Sequence, residues 1–394
     1  MKLKVEKEII KLSLMSFFLN LFFLGPVIVF FFQQRGLDYF QILSLESILV
    51  LFIFLFEVPT GIFADKFGRK KSIILGAFIN VTNIVIFLFA NSFVHFALAY
   101  ALSGISIAFF SGTIEALIYD YLKQKNKKHL MKQAMGTYGA ITTMASVIAP
   151  VIGSYLAKDL LPSQFTLLLY LTLGMILIGF VISLLIEDSR KKDVVGENPF
   201  IMLKEGIELL WQNKSLLRIV LLNVFSSPFI FTIMYLVQPY FKMSDVNVAF
   251  FGTITSVALL LSAFAQKYAY KIEKIFGIKR GVFLVTFLPG VLYLFMSFVF
   301  HPIWSVVLFI FLRAIIEIRY PIFSDYKNIH IPEKIRATVL SLISQLSSFY
   351  LMIMRLIIGK LSEYNLSYSF IFMGLVVMAA SIYFRIGEDH VECK

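Results

Sequence analysis

The sequence predicts an all-α membrane protein with twelve transmembrane helices in two pseudo-symmetric six-helix bundles. Three observations carry that prediction. Of 394 residues, 59% are hydrophobic and only 15% are charged, and Phe alone accounts for 43. A soluble domain carries about 25% charged residues, and the mean hydropathy of +0.84 is too high to hide inside water-soluble cores. About a dozen apolar stretches also reach the roughly 20 residues that a spanning helix needs. Finally, 29 of the 36 Lys and Arg residues fall where alternate spans would place them on one side of a bilayer.

The spans are drawn at 9–33, 39–63, 72–90, 94–121, 133–157, 165–187, 216–241, 246–268, 281–300, 303–324, 337–360 and 367–386. The cations concentrate at both termini and in 64–71, 122–132, 188–218, 267–280 and 325–336. Opposite segments hold only Arg35, Lys158, Lys242 and Lys360. Such asymmetry places cation-rich loops in the cytoplasm, with both termini inside. The net charge of +12 is therefore topology rather than the footprint of a nucleic-acid partner. Met1-Lys2-Leu3-Lys4 runs straight into a long span without a small-residue cleavage pattern, which reads as a retained first helix. The single cysteine, Cys393, excludes an intrachain disulfide.

Residues 188–215 divide the chain, giving an N-terminal bundle at 1–187, a cytoplasmic linker, and a C-terminal bundle at 216–394. Within the linker Phe200, Leu203, Ile207, Leu210 and Trp211 recur at helical spacing, with Lys204, Glu205, Glu208 and Gln212 elsewhere. That pattern suits a helix lying in the membrane interface, or a solvated linker helix. The halves echo each other. Phe67-Gly68-Arg69-Lys70-Lys71 after span two is matched by Phe276-Gly277-Ile278-Lys279-Arg280 after span eight. Tyr119-Asp120-Tyr121 closing span four is matched by Ser324-Asp325-Tyr326 closing span ten. A duplicated transporter fold places its site between such halves. Gly25-Pro26, Pro150, Pro228, Pro239, Pro289-Gly290 and Pro321 would bend their spans.

The most informative stretch is 57–75, a charged hairpin clamped between two apolar runs. Gly61 and Gly68 suit close backbone approach, while Asp65 and Arg69 stand four residues apart. An aspartate near a helix N-terminus meets positive potential, so an acid held by an arginine and a helix end would form a latch that can be made and broken. This stretch resembles the signature loop of the major facilitator superfamily, Gly-x-Leu-Ala-Asp-Arg-x-Gly-Arg-Lys. Gly61, Ala64, Asp65, Gly68, Arg69 and Lys70 match it, whereas Phe63 and Lys66 depart from it. Glu57-Val58-Pro59-Thr60-Gly61, the stretch Ser111 to Asp120, and Arg336-Ala337-Thr338-Val339-Leu340-Ser341 resemble the end of span two, the fourth span, and the entry to span eleven in the same superfamily. The resemblance implies that Asp65, Arg69 and Asp120 form a charge relay stabilising the outward-facing state against span eleven. Span five, with Ala149-Pro150-Val151-Ile152-Gly153-Ser154, keeps only part of the drug–proton antiporter pattern, and the fourth span lacks the arginine usual there.

Charges inside spans are costly, about 2.5–3.5 kcal/mol at the bilayer centre on insertion scales, so they face a cavity or a partner. Glu46, Glu115, Arg313, Glu317 and Arg355 are the candidates. Arg313 and Glu317 can meet on one helix face, although Arg before Glu is the weaker order; they would bind substrate, relay a proton, or pair structurally. Glu115 would carry a proton or brace the latch, and Glu46 would be a proton site if buried. Arg355 would contact substrate or a proton, or snorkel outward. Asn20 and Asn223 occupy matching places in spans one and seven and would hydrogen-bond substrate or join helices.

His95, His129, His301, His330 and His390 show no metal-ligand spacing, and no phosphate loop, nucleophile elbow or cysteine cluster is present. No enzyme, cofactor or metal is expected. The resemblance implies a monomeric exporter of a small apolar or amphipathic molecule in a prokaryotic inner membrane, working by alternating access with protons as the coupling ion. A nutrient symporter or uniporter, a lipid flippase, and a non-transporting sensor or scaffold are the alternatives.

Overall fold

The computed structural model describes residues 7–187, 199–227, 229–332 and 335–386. Every regular element among them is helical. Ten helical stretches are long and apolar enough to cross a membrane. Two further passes complete the twelve. The first is interrupted, with α1 at Lys7–Leu19, a 3-10 turn at Gly25–Val27, and α2 at Ile28–Gln34. The other is α14, Pro302–His330, which carries Arg313, Glu317 and Arg319. Residues 188–198, the first part of the expected linker, lie outside the described residues, as does Pro228.

The chain forms two compact units, one of residues 1–193 with 247–256 and the other of 194–246 with 257–394. In the first, α3 (Tyr39–Phe67) and α4 (Arg69–Phe89) form the hairpin, followed by α5 (Phe93–Phe110), α6 (Thr113–Gln124), α7 (Met131–Leu156) and α8 (Pro162–Leu184). Helix α3 starts on a capping box, in which Asp38 accepts from the Gln41 amide and the Gln41 side chain accepts from the Asp38 amide. Close approach of α3 and α5 depends on Gly104, where an added Cβ would lie 2.6 Å from the Leu49 carbonyl oxygen. Phe31, Phe32, Phe87, Phe96 and Tyr100 interlock with centroid separations of 5.0–6.4 Å. Offset and edge-on ring pairs of this kind add about 0.5–1.5 kcal/mol each beyond area burial. At the other end Glu8 pairs with Lys11 at 2.6 Å and accepts from the Glu187 amide, while Lys11 donates to the Leu185 carbonyl. A cation on the terminal carbonyls of α8 complements its dipole. Residues 247–256 join this unit, with Ser154 Oγ donating to the Ala249 carbonyl at 3.1 Å.

The second unit begins with α9 (Pro199–Gln212), then α10 (Lys214–Phe225), α11 (Ile230–Met243), α12 (Phe251–Lys267), whose later part belongs here, α13 (Tyr270–Met296), α14, α15 (Arg336–Tyr364) and α16 (Leu366–Tyr383). The apolar face expected for α9 is divided. Gly206 sits against Val339 and Leu342 of α15, and Leu210 is buried, whereas Ile207 and Trp211 are exposed. The Phe200 and Leu203 side chains lie outside the description. Helices α13 and α16 cross at Gly290 and Gly374, where a Cβ on either would stand 2.8 Å from the other's carbonyl oxygen. Small residues at such crossings let backbones approach where no hydrophobic force drives association.

Gly374→Val should therefore lower the melting temperature of the detergent-purified protein by several degrees, since overpacking costs about 1–3 kcal/mol. Gly174→Ala, where a Cβ meets nothing within 4 Å, should leave it unchanged or raise it. Equal melting of the two variants would refute the close crossing.

Candidate functional site

The hairpin is built around Gly68, which ends α3 and starts α4 at φ 99°, a conformation side chains disfavour. Its counterpart Gly277 interrupts α13 at φ 72° and ψ 164°. The sequence repeat is thus a repeated backbone turn. Gly61 differs from expectation, because it is exposed and a Cβ there would meet nothing within 4 Å. Close approach in this unit falls to Gly104 and Gly76 instead.

Arg69, the first residue of α4, forms an ion pair with Asp120 of α6 and donates to the Ala116 carbonyl. Both charged side chains are about four-fifths buried, at 23% and 20% exposure. The expected partnership of Arg69 with Asp65 is not formed. Asp65 is exposed and makes no ion pair among the described residues. The i,i+4 relation holds only along one helix, and the Gly68 turn separates the two. Lys70, the next residue, is half-buried, and Glu57 is exposed on α3.

The fourth pass is itself broken. Helix α5 stops at Phe110, Gly112 takes the left-handed region at φ 67°, and α6 restarts at Thr113. Terminal carbonyls of a helix have no partner within it, and here neighbours supply the donors. Ser72 Oγ donates to the Phe109 carbonyl at 3.1 Å, and Thr60 Oγ1 stands 3.0 Å from the Ala108 carbonyl and 2.7 Å from the Phe56 carbonyl of its own helix. Glu115 stands in the first turn of α6, exposed and without an ion-pair partner among the described residues. Asn20 is exposed where α1 ends, and its Nδ2 donates to the Ser16 carbonyl of its own helix at 2.7 Å. It caps that end rather than joining helices. Glu46 is half-buried and has a partner.

In the second unit Arg313 and Glu317 pair at 3.3 Å on one face of α14, the arginine the more buried at 11% against 26%. Arg355 does not snorkel outward, for only 2% of it is exposed. The copy of the signature hairpin substitutes a different contact, in which the Tyr326 hydroxyl donates to Glu273. Asn223 contributes its carbonyl and Oδ1 to Arg319.

Arg319 is the residue that sequence reasoning passed over. It is 4% exposed, and its guanidinium donates to the carbonyls of Ser226 at 2.5 Å and Asn223 at 2.7 Å. These carbonyls end α10, where the seventh pass is interrupted. The available signal was an arginine in an apolar span with no acid three or four residues away, alongside Ser226-Ser227-Pro228 in another span.

The model of the Major Facilitator Superfamily matches residues 11–353. An uncharacterised MFS-type transporter of Bacillus subtilis, YxaM, is 24% identical over 375 residues, covering 92% of this chain and 91% of the relative. A bicyclomycin resistance protein homologue of Haemophilus influenzae is 24% identical over 157 residues, covering 40% and 38%. Among solved structures, the nucleoside transporter NupG superposes with a TM-score of 0.73 at 14% identity, covering 99% of this chain and 100% of that one. A bacterial homologue of the human lysosomal transporter Spinster superposes at 0.73 and 16% identity, covering 98% and 97%. These structures share the fold. With a match along most of its length, the chain belongs to the major facilitator superfamily and is a multi-pass membrane transporter of a small molecule.

Proposed function

We propose that this transporter exports small apolar or amphipathic compounds by alternating access, driven by proton antiport. It acts as a monomer in the inner membrane with both termini cytoplasmic, as the cation distribution favours. The observation that carries the coupling is the arrangement of α6. One twelve-residue helix bears the exposed carboxylate of Glu115 near its start and, five residues on, Asp120, which holds Arg69. Protonation of Glu115 weakens its attraction to the positive end of α6. A shift of that helix would act on the Arg69–Asp120 pair, because both groups belong to one rigid element. The Haemophilus relative, described as a bicyclomycin resistance homologue, supports export over uptake.

The latch reading assigns the holding role to Arg69 with Asp120, and leaves Asp65 and Lys70 as flanking charges. Glu317, held by Arg313, is the second proton site.

In everted vesicles given external ethidium as probe, Asp120→Asn should cut proton-driven uptake about tenfold or more, since breaking a part-buried pair strands its partner. Asp65→Asn should cost less, and the exchange Arg69→Asp with Asp120→Arg should recover part of the loss. Equal loss in Asp65→Asn and Asp120→Asn, without recovery in the exchange, would remove the pair from the mechanism. Glu115→Gln should abolish the pH dependence of uptake while folded protein still reaches the membrane, with Glu317→Gln moving it less. If neither substitution alters the pH profile, proton coupling does not run through these carboxylates.

A further inference from the structure

The break in the seventh pass has a chemistry that the latch does not use. Helix α10 ends at Phe225 and α11 starts at Ile230, after Phe229 in the left-handed region at φ 48°. A residue other than glycine is disfavoured in this region, so the surroundings hold this turn in place. Within a bilayer the open carbonyls of α10 need donors from the protein. Two side chains from other helices supply them. Arg319 of α14 donates to Ser226 and Asn223 and reaches Leu222 at 3.4 Å, and the Tyr350 hydroxyl of α15 donates to Phe225 at 3.2 Å. A guanidinium suits the task because it has five donors and keeps its charge.

The same guanidinium lies 3.4 Å from Oδ1 of Asn223. That is long for a hydrogen bond, yet it decides the amide's orientation. A guanidinium has only donors, so the carbonyl end of the amide faces it and the NH2 end is turned away. Asn223 is half-buried, and its Nδ2 donates to no described residue. The result is a fixed, unspent donor beside an interrupted membrane helix.

We propose that Arg319 is a positioning residue for substrate recognition: by capping α10 it presents the Nδ2–H2 group of Asn223 to a hydrogen-bond acceptor on the transported compound. The inference rests on the export reading and narrows it to cargo bearing a carbonyl, ether or hydroxyl oxygen. A site built to donate discriminates against analogues that cannot accept. Arg319 itself touches no cargo.

Two measurements test this. In a Cys393→Ser background, Ser227→Cys places a single thiol at the break, to be labelled with a membrane-impermeant maleimide. Arg319→Met should raise its labelling rate about tenfold, because Pro228 has no N–H with which to continue the helix and the uncapped carbonyls must turn to water. Arg319→Lys should stay within about threefold of the parent, since an ammonium still offers three donors. The second measurement compares chloramphenicol, rich in acceptors, with tetraphenylphosphonium, which has none, in everted vesicles. Asn223→Leu should raise the KM for chloramphenicol about three- to tenfold, the size of one lost hydrogen bond, and leave tetraphenylphosphonium unchanged. Arg319→Met added to Asn223→Leu should bring no further loss of selectivity. If Arg319→Met fails to reach the membrane, Arg319→Lys and Asn223→Leu carry the comparison. Unchanged labelling in Arg319→Met, or an equal KM change for both probes in Asn223→Leu, overturns the proposal. Transport of neither probe would sink the export reading and the acceptor claim together, while the labelling would still judge the cap.

Discussion

Every interruption of a helix in this protein has to satisfy its own backbone, because hydrocarbon offers no water to do so. That constraint accounts for several of the polar side chains in the spans. Ser72 serves the end of α5, Asn20 the end of α1, and Arg319 with Tyr350 the end of α10. Asn20 does this within its own helix, whereas Ser72, Arg319 and Tyr350 would be unexplained polar residues in apolar segments if their own helices alone were considered. Considered against a neighbour, each of these three closes a gap in a hydrogen-bond ladder. The breaks can persist because their ends are closed by side chains, most of them held on other helices.

The fold was legible in the sequence because membrane topology writes itself into composition. Cations at one set of turns and apolar stretches of spanning length need no tertiary information to be recognised. The turn glycines were legible too, since Gly68 and Gly277 recur in the same local context and both adopt positive φ. Breaks at Asn20 and Ser111 were less visible. No proline marks Ser111-Gly112, and the apolar run continues on its N-terminal side, so periodicity alone reads one helix through Gly112.

Site residues divide along the same line. Arg313 and Glu317 share one uninterrupted helix, so spacing was enough to pair them. Asp65 and Arg69 have the same spacing but straddle a turn, and the arginine finds its acid 51 residues away in α6. Arg355 was expected at the membrane surface because lysine and arginine stems are long; the side chain is instead buried. Arg319 was hidden because its partners are main-chain carbonyls, which every residue possesses. A sequence can advertise a complementary acid, but it cannot advertise a carbonyl left open by a break in another helix.

The two units share a hairpin turn but differ in the fourth pass of each. In one, a left-handed glycine at position 112 divides the pass into α5 and α6; in the other, α14 runs unbroken from Pro302 to His330 around its arginines. If both descend from a single ancestral module, duplication was followed by a division of labour. One copy became the articulated member and the other the rod. Grafting α14 in place of α5 and α6 would remove the joint and bring in Arg319 without the α10 carbonyls it serves. The halves are siblings that have ceased to be spare parts for each other.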